Sequence, residues 1–210
     1  MASLIADHDP AALLTEVNAL LPVDWPALWA GIPTDTARRD QWCEGFGWQP
    51  LWESWGLWVR TRDDGRLHLA AAGAGRPVVA VEYNAWQVRG DSADQNPELM
   101  AAATDRYHAH LTALRTVLGE PRWEGAWDAP DFPEPPAPGR WPTPERRLRH
   151  QDPHRLAGWA FSTPGAPVIA LTANLGPTTA GTEFAGGASV NLTFHGPADP
   201  EPVPRAGWLL

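Results

Sequence analysis

A tryptophan-rich stretch over residues 42–59 constrains the fold of this chain more than any other segment. It holds five tryptophans: Trp42, Trp48, Trp52, Trp55 and Trp58. The glycines on either side of Phe46 favour a break between a helix end and an extended segment. Side chains of this size bury each other, pack beneath the rest of the fold, or form a contact surface. The stretch predicts a junction between N-terminal helices and a first sheet, with Trp42 and Trp48 in the core.

The other three tryptophans leave two interpretations open. In a regular strand, Trp52 and Trp58 share one face and Trp55 has the other. Either both faces of that strand are covered, or one face displays tryptophan to a partner, as interface hot spots do. The candidate binding residues are Trp52, Trp55, Trp58, Glu53, Glu82 and Trp86. If Glu53 and Glu82 met on adjoining strands, the pair would also suit acid–base chemistry.

The charge of the chain narrows the class of partner. The formal net charge is −9, and all 16 basic residues are arginine. Such a chain lacks the positive field that nonspecific nucleic-acid binding and adhesion to anionic membranes need. We expect no nucleic acid and no membrane as partners, and a protein partner, for example a basic toxin, as the better match.

Compartment and cofactors are constrained by what the sequence lacks. Cys43 is the only cysteine, so there is no intramolecular disulfide, and its tryptophan neighbours favour a buried apolar role. The N-terminus has no secretory pattern, and no run approaches the roughly 20 apolar residues of a membrane span. A lysine-free chain has no P-loop, and Gly73-Ala74-Gly75 is not a dinucleotide fingerprint. We expect a cytoplasmic, reduced protein without a cofactor.

Capping residues and helical periodicity predict three N-terminal helices. The first begins at Asp9-Pro10, a short one covers 26–30, and a third begins at Thr34 or Asp35 and finishes at Gly45.

A longer helix is predicted over 97–118, with Asn96 as N-cap and Gly119 after its end. Its apolar stripe consists of Leu99, Ala103, Tyr107, Leu111, Leu114 and Leu118. This stripe needs a sheet to cover.

Two β regions flank the long helix, which makes the fold class α+β. Strands over 57–60 and 67–71, joined by an Asp64-Gly65 turn, and a central strand over 78–88 form a predicted antiparallel meander. Residues 1–128 are then one part, 129–145 a proline-rich connector, and 146–210 a β-rich part packed on the first as a single unit. Whether the two β regions form one sheet or two stays open. The later predicted strands are 146–150, 156–161, 168–175 and 188–194.

The most enzyme-like cluster is His150, Asp152 and His154. Pro153 breaks a helix at this point, so the two histidines do not share a helical face as zinc ligands four apart do. No third ligand stands at a recognisable spacing, and we predict no metal site. A polar turn between two strands is the alternative to a catalytic role for these three residues. The remaining histidines, including His68 and His195, are expected to alternate outward from apolar neighbours or to lie satisfied in the core.

The order of the elements resembles that of small, uncharacterised, tryptophan-rich actinobacterial proteins of the immunity type, which accompany secreted polymorphic toxins. The resemblance rests on the helix end Trp42-Cys43-Glu44-Gly45-Phe46-Gly47-Trp48, the meander, the helix end Leu118-Gly119-Glu120-Pro121, and Trp141 before further strands. The helix–meander–helix order is also similar to type III secretion chaperone-like folds. The resemblance implies binding of a cognate toxin and brings no catalytic residue with it.

The sequence therefore favours a non-enzymatic protein-binding module, most concretely an immunity-type protein that occludes a toxin. The alternative is a small-molecule-binding protein or hydrolase-like enzyme with a tryptophan-lined pocket that uses His150, Asp152 or His154.

Overall fold

The computed structural model describes residues 2–133, 143–175 and 186–196. The predicted α+β class is confirmed, with N-terminal helices, an antiparallel meander, a long helix and further antiparallel strands. The question left open about the two β regions has an answer. They form one nine-stranded sheet.

Three short helices open the fold after a strand that the sequence did not predict. They are α1 (Pro10–Leu20), α2 (Trp25–Trp29) and α3 (Thr36–Gly45), and β1 (Ser3–Asp7) precedes them. Each helix begins after an aspartate whose carboxylate accepts from a backbone N–H in the first turn: Asp9, Asp24 and Asp35. The predicted starts are thus confirmed. β1 was missed because its residues 3–7 have no turn signal or alternation and gain order by pairing with a distant strand.

The meander contains one more strand than predicted. Its strands are β2 (Gln49–Glu53), β3 (Gly56–Arg60), β4 (Arg66–Ala71) and β5 (Val78–Arg89). The segment that the sequence presented as one extended run is a hairpin that turns at Ser54 and Trp55. Trp55 has φ 51° and Gly56 φ 125°, values that favour glycine. A Cβ on Gly56 would lie 1.9 Å from the Leu69 carbonyl oxygen, so the close approach of β3 and β4 requires glycine here.

The long helix α4 (Asn96–Leu118) follows a single 3₁₀ turn (Ala93–Gln95). Its predicted stripe is confirmed, with Leu99, Ala103, Tyr107, Leu111 and Leu114 buried. Its predicted N-cap is wrong, because Gln95 occupies that position and Asn96 already has helical geometry. The 3₁₀ turn carries the chain into the helix, and the Asn96 side chain instead accepts a hydrogen bond from the Gly186 N–H at 3.1 Å.

Two corrections concern the proline-rich region. Residues 123–126, for which no strand was predicted, form β6 (Trp123–Ala126), and residues 146–150, predicted as a strand, belong to α5 (Pro144–His150). Thr143 caps α5, and the Arg149 guanidinium meets the Glu145 carboxylate one turn away at 3.1 Å. A capping residue also marked the start of the predicted long helix, but the surrounding prolines obscured the one at Thr143. Residues 134–142 of the connector, with Trp141, lie outside the described residues.

The final strands complete the sheet and join its two halves. They are β7 (Arg155–Trp159), β8 (Val168–Leu175) and β9 (Gly187–His195). The order is β2-β3-β4-β5-β9-β8-β7-β6, and β1 pairs with the far end of β5. β9 pairs with β5 over Ala80 to Arg89, so the last described strand lies against the predicted central strand. The meander and the β-rich region are therefore continuous.

The sheet has a helix-covered face and an open face. Helices α1, α2 and α4 bury the first against apolar rows that include Leu69, Val81, Phe194 and Ile169. On the open face a small cluster of Phe132, Leu156 and Ala170 lies near β7, with the Arg147 guanidinium 4.1 Å from the Phe132 ring centre. The open face next to β2 and β3 carries the candidate functional site.

Candidate functional site

Four side chains form a row across the open face, one from each strand of the meander. Trp52, Trp58, His68 and Glu82 are register partners on β2, β3, β4 and β5. We call this row the tryptophan ladder. Trp52 stacks on Trp58 with ring centres 5.4 Å apart, and Trp58 stacks on His68 at 4.8 Å. Side chains on one face of neighbouring strands meet in this way because the strand period is two.

His68 is the buried member of the ladder, with 3% of its surface exposed. Its Nδ1 lies 3.0 Å from Glu82 Oε2 and its Nε2 lies 3.0 Å from the Ser54 carbonyl oxygen. Both partners are acceptors, so the ring satisfies both only by donating from both nitrogens, which is the protonated form. Burial alone lowers the pKa of His68, but the hydrogen bond and charge of Glu82, with the Ser54 carbonyl, raise it above its usual value.

The outer end of the ladder is a hairpin tip with two exposed tryptophans. Trp52 is 47% exposed and Trp55 is 54% exposed, on β2 and on the turn that follows it. β2 is also an edge strand of the sheet. Glu53 next to them forms an ion pair with Arg39 of α3, which holds the edge against the helix. We call Trp52, Glu53 and Trp55 the hairpin tip.

The sequence-predicted binding residues separate into three groups. Trp52, Trp58 and Glu82 are joined in the ladder, and Glu53 and Trp55 stand at the tip. Glu53 and Glu82 do not meet, because β3 and β4 lie between their strands and each carboxylate has a different cationic partner. Trp86 is 4% exposed and belongs to the helix-covered core, since an irregularity in register after Asn84 carries it to that face.

His68 is buried because other residues cover it on the open face of the sheet. The alternation along β4 predicts that the His68 side chain points to the other face of the sheet from Leu67 and Leu69, and it does. Trp58 and the turn at Ser54 nevertheless cover it. Of the two positions expected for His68, outward-facing or satisfied in the core, its burial and hydrogen bonds match the second. No local signal could have shown this, because the covering groups come from a hairpin that the sequence did not indicate.

The alternative catalytic residues are spread along a loop. His150 is exposed at the end of α5, while Asp152 and His154 are partly buried before β7. Burial lowers the pKa of His154, an effect increased by Arg155 and opposed by Asp128. A pocket of about 440 Å³ lies between the start of α2 and the loop before β8, walled by Trp25, Phe161 and Phe194, and none of the three residues lines it.

Cys43 lies where the sequence predicted it, in the core. The side chain is fully buried, and burial raises the pKa of its thiol to about 11, with Arg39 opposing and Asp40 adding to the effect. The thiol is thus protonated and unreactive at neutral pH. Among residues 2–133, 143–175 and 186–196, no group of three or more His, Cys, Asp or Glu side chains could hold a metal ion.

Comparison with known proteins places the chain in no family. No family model, curated protein or solved structure matches it. The resemblance to immunity-type proteins therefore stays a prediction. Within the described part of the chain, no helix has the length and apolar character to cross a membrane.

Proposed function

We propose that this protein is a non-enzymatic protein-binding module that binds its partner through the hairpin tip. The observation that carries the proposal is the exposure of two tryptophans, three residues apart in one hairpin at an edge of the sheet. Exposing tryptophan costs hydrophobic free energy, and large aromatic side chains are the commonest anchors of protein interfaces. The ladder behind the tip gives Trp52 a fixed orientation, since its ring rests on Trp58.

Charge supports a basic partner. The chain has a net charge of −9, and the carboxylates of Asp40 and Glu53 are 55% and 56% exposed beside the tip. Acidic groups around an aromatic anchor accelerate association with a basic surface and discriminate against acidic ones. The concrete form of the proposal is an immunity-type role in the cytoplasm, in which occlusion by the hairpin tip neutralises a basic toxin.

The test begins with a defined partner, the basic product of a toxin-like gene adjacent to the gene for this chain. Its affinity is measured by calorimetry for the wild type, Trp52→Ala and Trp55→Ala. Phe161→Ala is the matched control, because Phe161 is an exposed aromatic residue on another part of the surface. Each tryptophan variant should bind roughly 30-fold or more weakly, as expected of a hot spot worth about 2 kcal/mol. Phe161→Ala should bind like the wild type.

Two results would count against the proposal. The first is absence of binding to the adjacent gene product together with no protection of cells from its toxicity. The second is binding that both tryptophan variants retain at full affinity while circular dichroism shows that they are folded.

A further inference from the structure

The hairpin tip is connected to the middle of the sheet through one side chain. His68 on β4 donates to the Ser54 carbonyl in the turn that carries Trp55 and to the Glu82 carboxylate on β5. Its ring also stacks against Trp58, with the two planes 20° apart. A protonated imidazole so placed gains a cation–π contribution from the indole. The turn, the ladder and the central strand therefore depend on the same buried ring.

We propose that His68 is a pH-dependent clamp that holds the hairpin tip in its binding conformation while its ring is doubly protonated. The inference adds regulation to the binding site proposed above and rests on that function for its biological meaning. A neutral imidazole has one N–H and one lone pair, so it cannot donate to both acceptors. Retaining the bond to Glu82 places the lone pair of Nε2 against the Ser54 carbonyl oxygen, and the turn moves away.

The groups that face the ring act in opposite directions, and their balance favours the protonated form. Glu82 from β5 is the charged group hydrogen-bonded to it, and the hairpin contributes backbone carbonyl groups. Arg60 and Arg66 lie two residues further along β3 and β4 on the same face, where Arg60 pairs with Asp64 at 3.4 Å. Burial disfavours the charged ring, whereas Glu82 and the carbonyls favour it. The contacts at hydrogen-bonding distance dominate.

The sign of the pH dependence follows from the raised pKa of His68. The clamp is complete below the ordinary pKa of histidine and is lost as the pH rises through the higher pKa of the folded protein. The tip should therefore be ordered, and bind better, on the acidic side of this transition.

The clamp is tested first without a partner. NMR follows the protonation of His68, and amide hydrogen exchange, corrected for its intrinsic pH dependence, follows the Ala71 N–H, which donates to the Trp55 carbonyl at 3.2 Å. Protection of Ala71 should fall roughly ten- to a hundred-fold across the His68 transition, the range expected for losing a hydrogen bond to a charged group. His68→Gln should abolish the transition.

Two carboxylate variants make the test specific. Glu82→Gln keeps an acceptor for Nδ1–H but removes the charge, so both the titration of His68 and the change in Ala71 exchange should move to lower pH. Asp64→Asn removes an exposed carboxylate in the turn between β3 and β4 that does not contact His68, and should leave both in place. The clamp would be overturned if amide exchange at Ala71 did not change with the protonation of His68, or if the two variants shifted the transition equally.

Failure of the clamp and failure of the proposed function give different results. If the exchange transition occurs but the adjacent gene product does not bind, the clamp stands and the binding partner is wrong. If binding depends on Trp52 and Trp55 but neither exchange nor affinity changes across the His68 transition, the function stands and the clamp is refuted.

Discussion

Replacing His110 should raise the stability of this protein and make its free energy of unfolding less sensitive to acid. His110 projects from α4 into the core with 0% of its surface exposed, and in the described part of the chain neither ring nitrogen has a hydrogen-bond partner. Burial lowers the pKa of this imidazole to about 4, and Arg106 and His8 lower it further, against opposing contributions from Asp7 and Asp9. The folded protein therefore holds His110 neutral where the unfolded chain would protonate it.

The magnitude follows from this difference in pKa. With values of about 4 in the folded state and 6.5 in the unfolded state, the neutral ring contributes stability that is complete above pH 6.5 and is lost as the pH falls toward 4. Between pH 8 and pH 5 the wild type should lose about 2 kcal/mol through this group alone. His110→Leu has no such loss and also removes two unpaired polar atoms, which should add about 1 kcal/mol at pH 8.

Chemical denaturation at pH 8 and pH 5, followed by tryptophan fluorescence, measures the effect. The stability advantage of His110→Leu should grow by about 2 kcal/mol from the higher to the lower pH. His108→Leu is the control, because His108 lies two residues away on α4 but is exposed. Its difference from the wild type should not change with pH. An advantage of His110→Leu that is the same at both pH values would refute the reasoning.

Three further substitutions test the packing. Tyr107→Phe removes a fully buried hydroxyl that has no hydrogen-bond partner within the described residues, so the free energy of unfolding should rise by about 1 kcal/mol in urea denaturation; a loss above that size would indicate a missed partner. Burial raises the pKa of Glu16, whose Oε1 accepts from the Thr61 hydroxyl at 2.8 Å, so ionisation costs stability as the pH rises above its unfolded value. Glu16→Gln should therefore stabilise more at pH 8 than at pH 4, and the reverse order would contradict this sign. Gly56→Ala should destabilise by more than about 2 kcal/mol, because its Cβ would strike the Leu69 carbonyl at positive φ; a thermal midpoint equal to the wild type's would show that the hairpin relaxes freely.

The local signals of this sequence were sufficient for the three N-terminal helices and α4, but not for α5. Asp9, Asp24 and Asp35 accept from N–H groups in the first turns of α1, α2 and α3, and such starts are readable because a capping carboxylate satisfies N–H groups only a few residues away. The stripe of α4 was equally readable, since its period is a property of the helix itself. The Asp64-Gly65 turn between β3 and β4 was found for the same reason.

The candidate site was only partly readable. Trp52, Glu53 and Trp55 were among the predicted binding residues, and the structure exposes all three. Their assembly with His68 was not foreseen, because it needs the turn at Trp55 and the register of four strands. Register depends on which strands pair, and that pairing involves segments that are far apart in the sequence.

By itself the sequence determined the class of the fold, the three N-terminal helices, the long helix α4 and the junction at residues 42–59. The tertiary structure decided that the two β regions share one sheet, because β9 pairs with β5 along the edge that β4 does not occupy. It also decided which tryptophans are core and which are surface. Trp48 is buried below the junction, Trp86 faces the helices, and Trp52 and Trp55 stand at the edge. The indole side chain is the same at these four tryptophans, and their burial differs only because different elements pack around them.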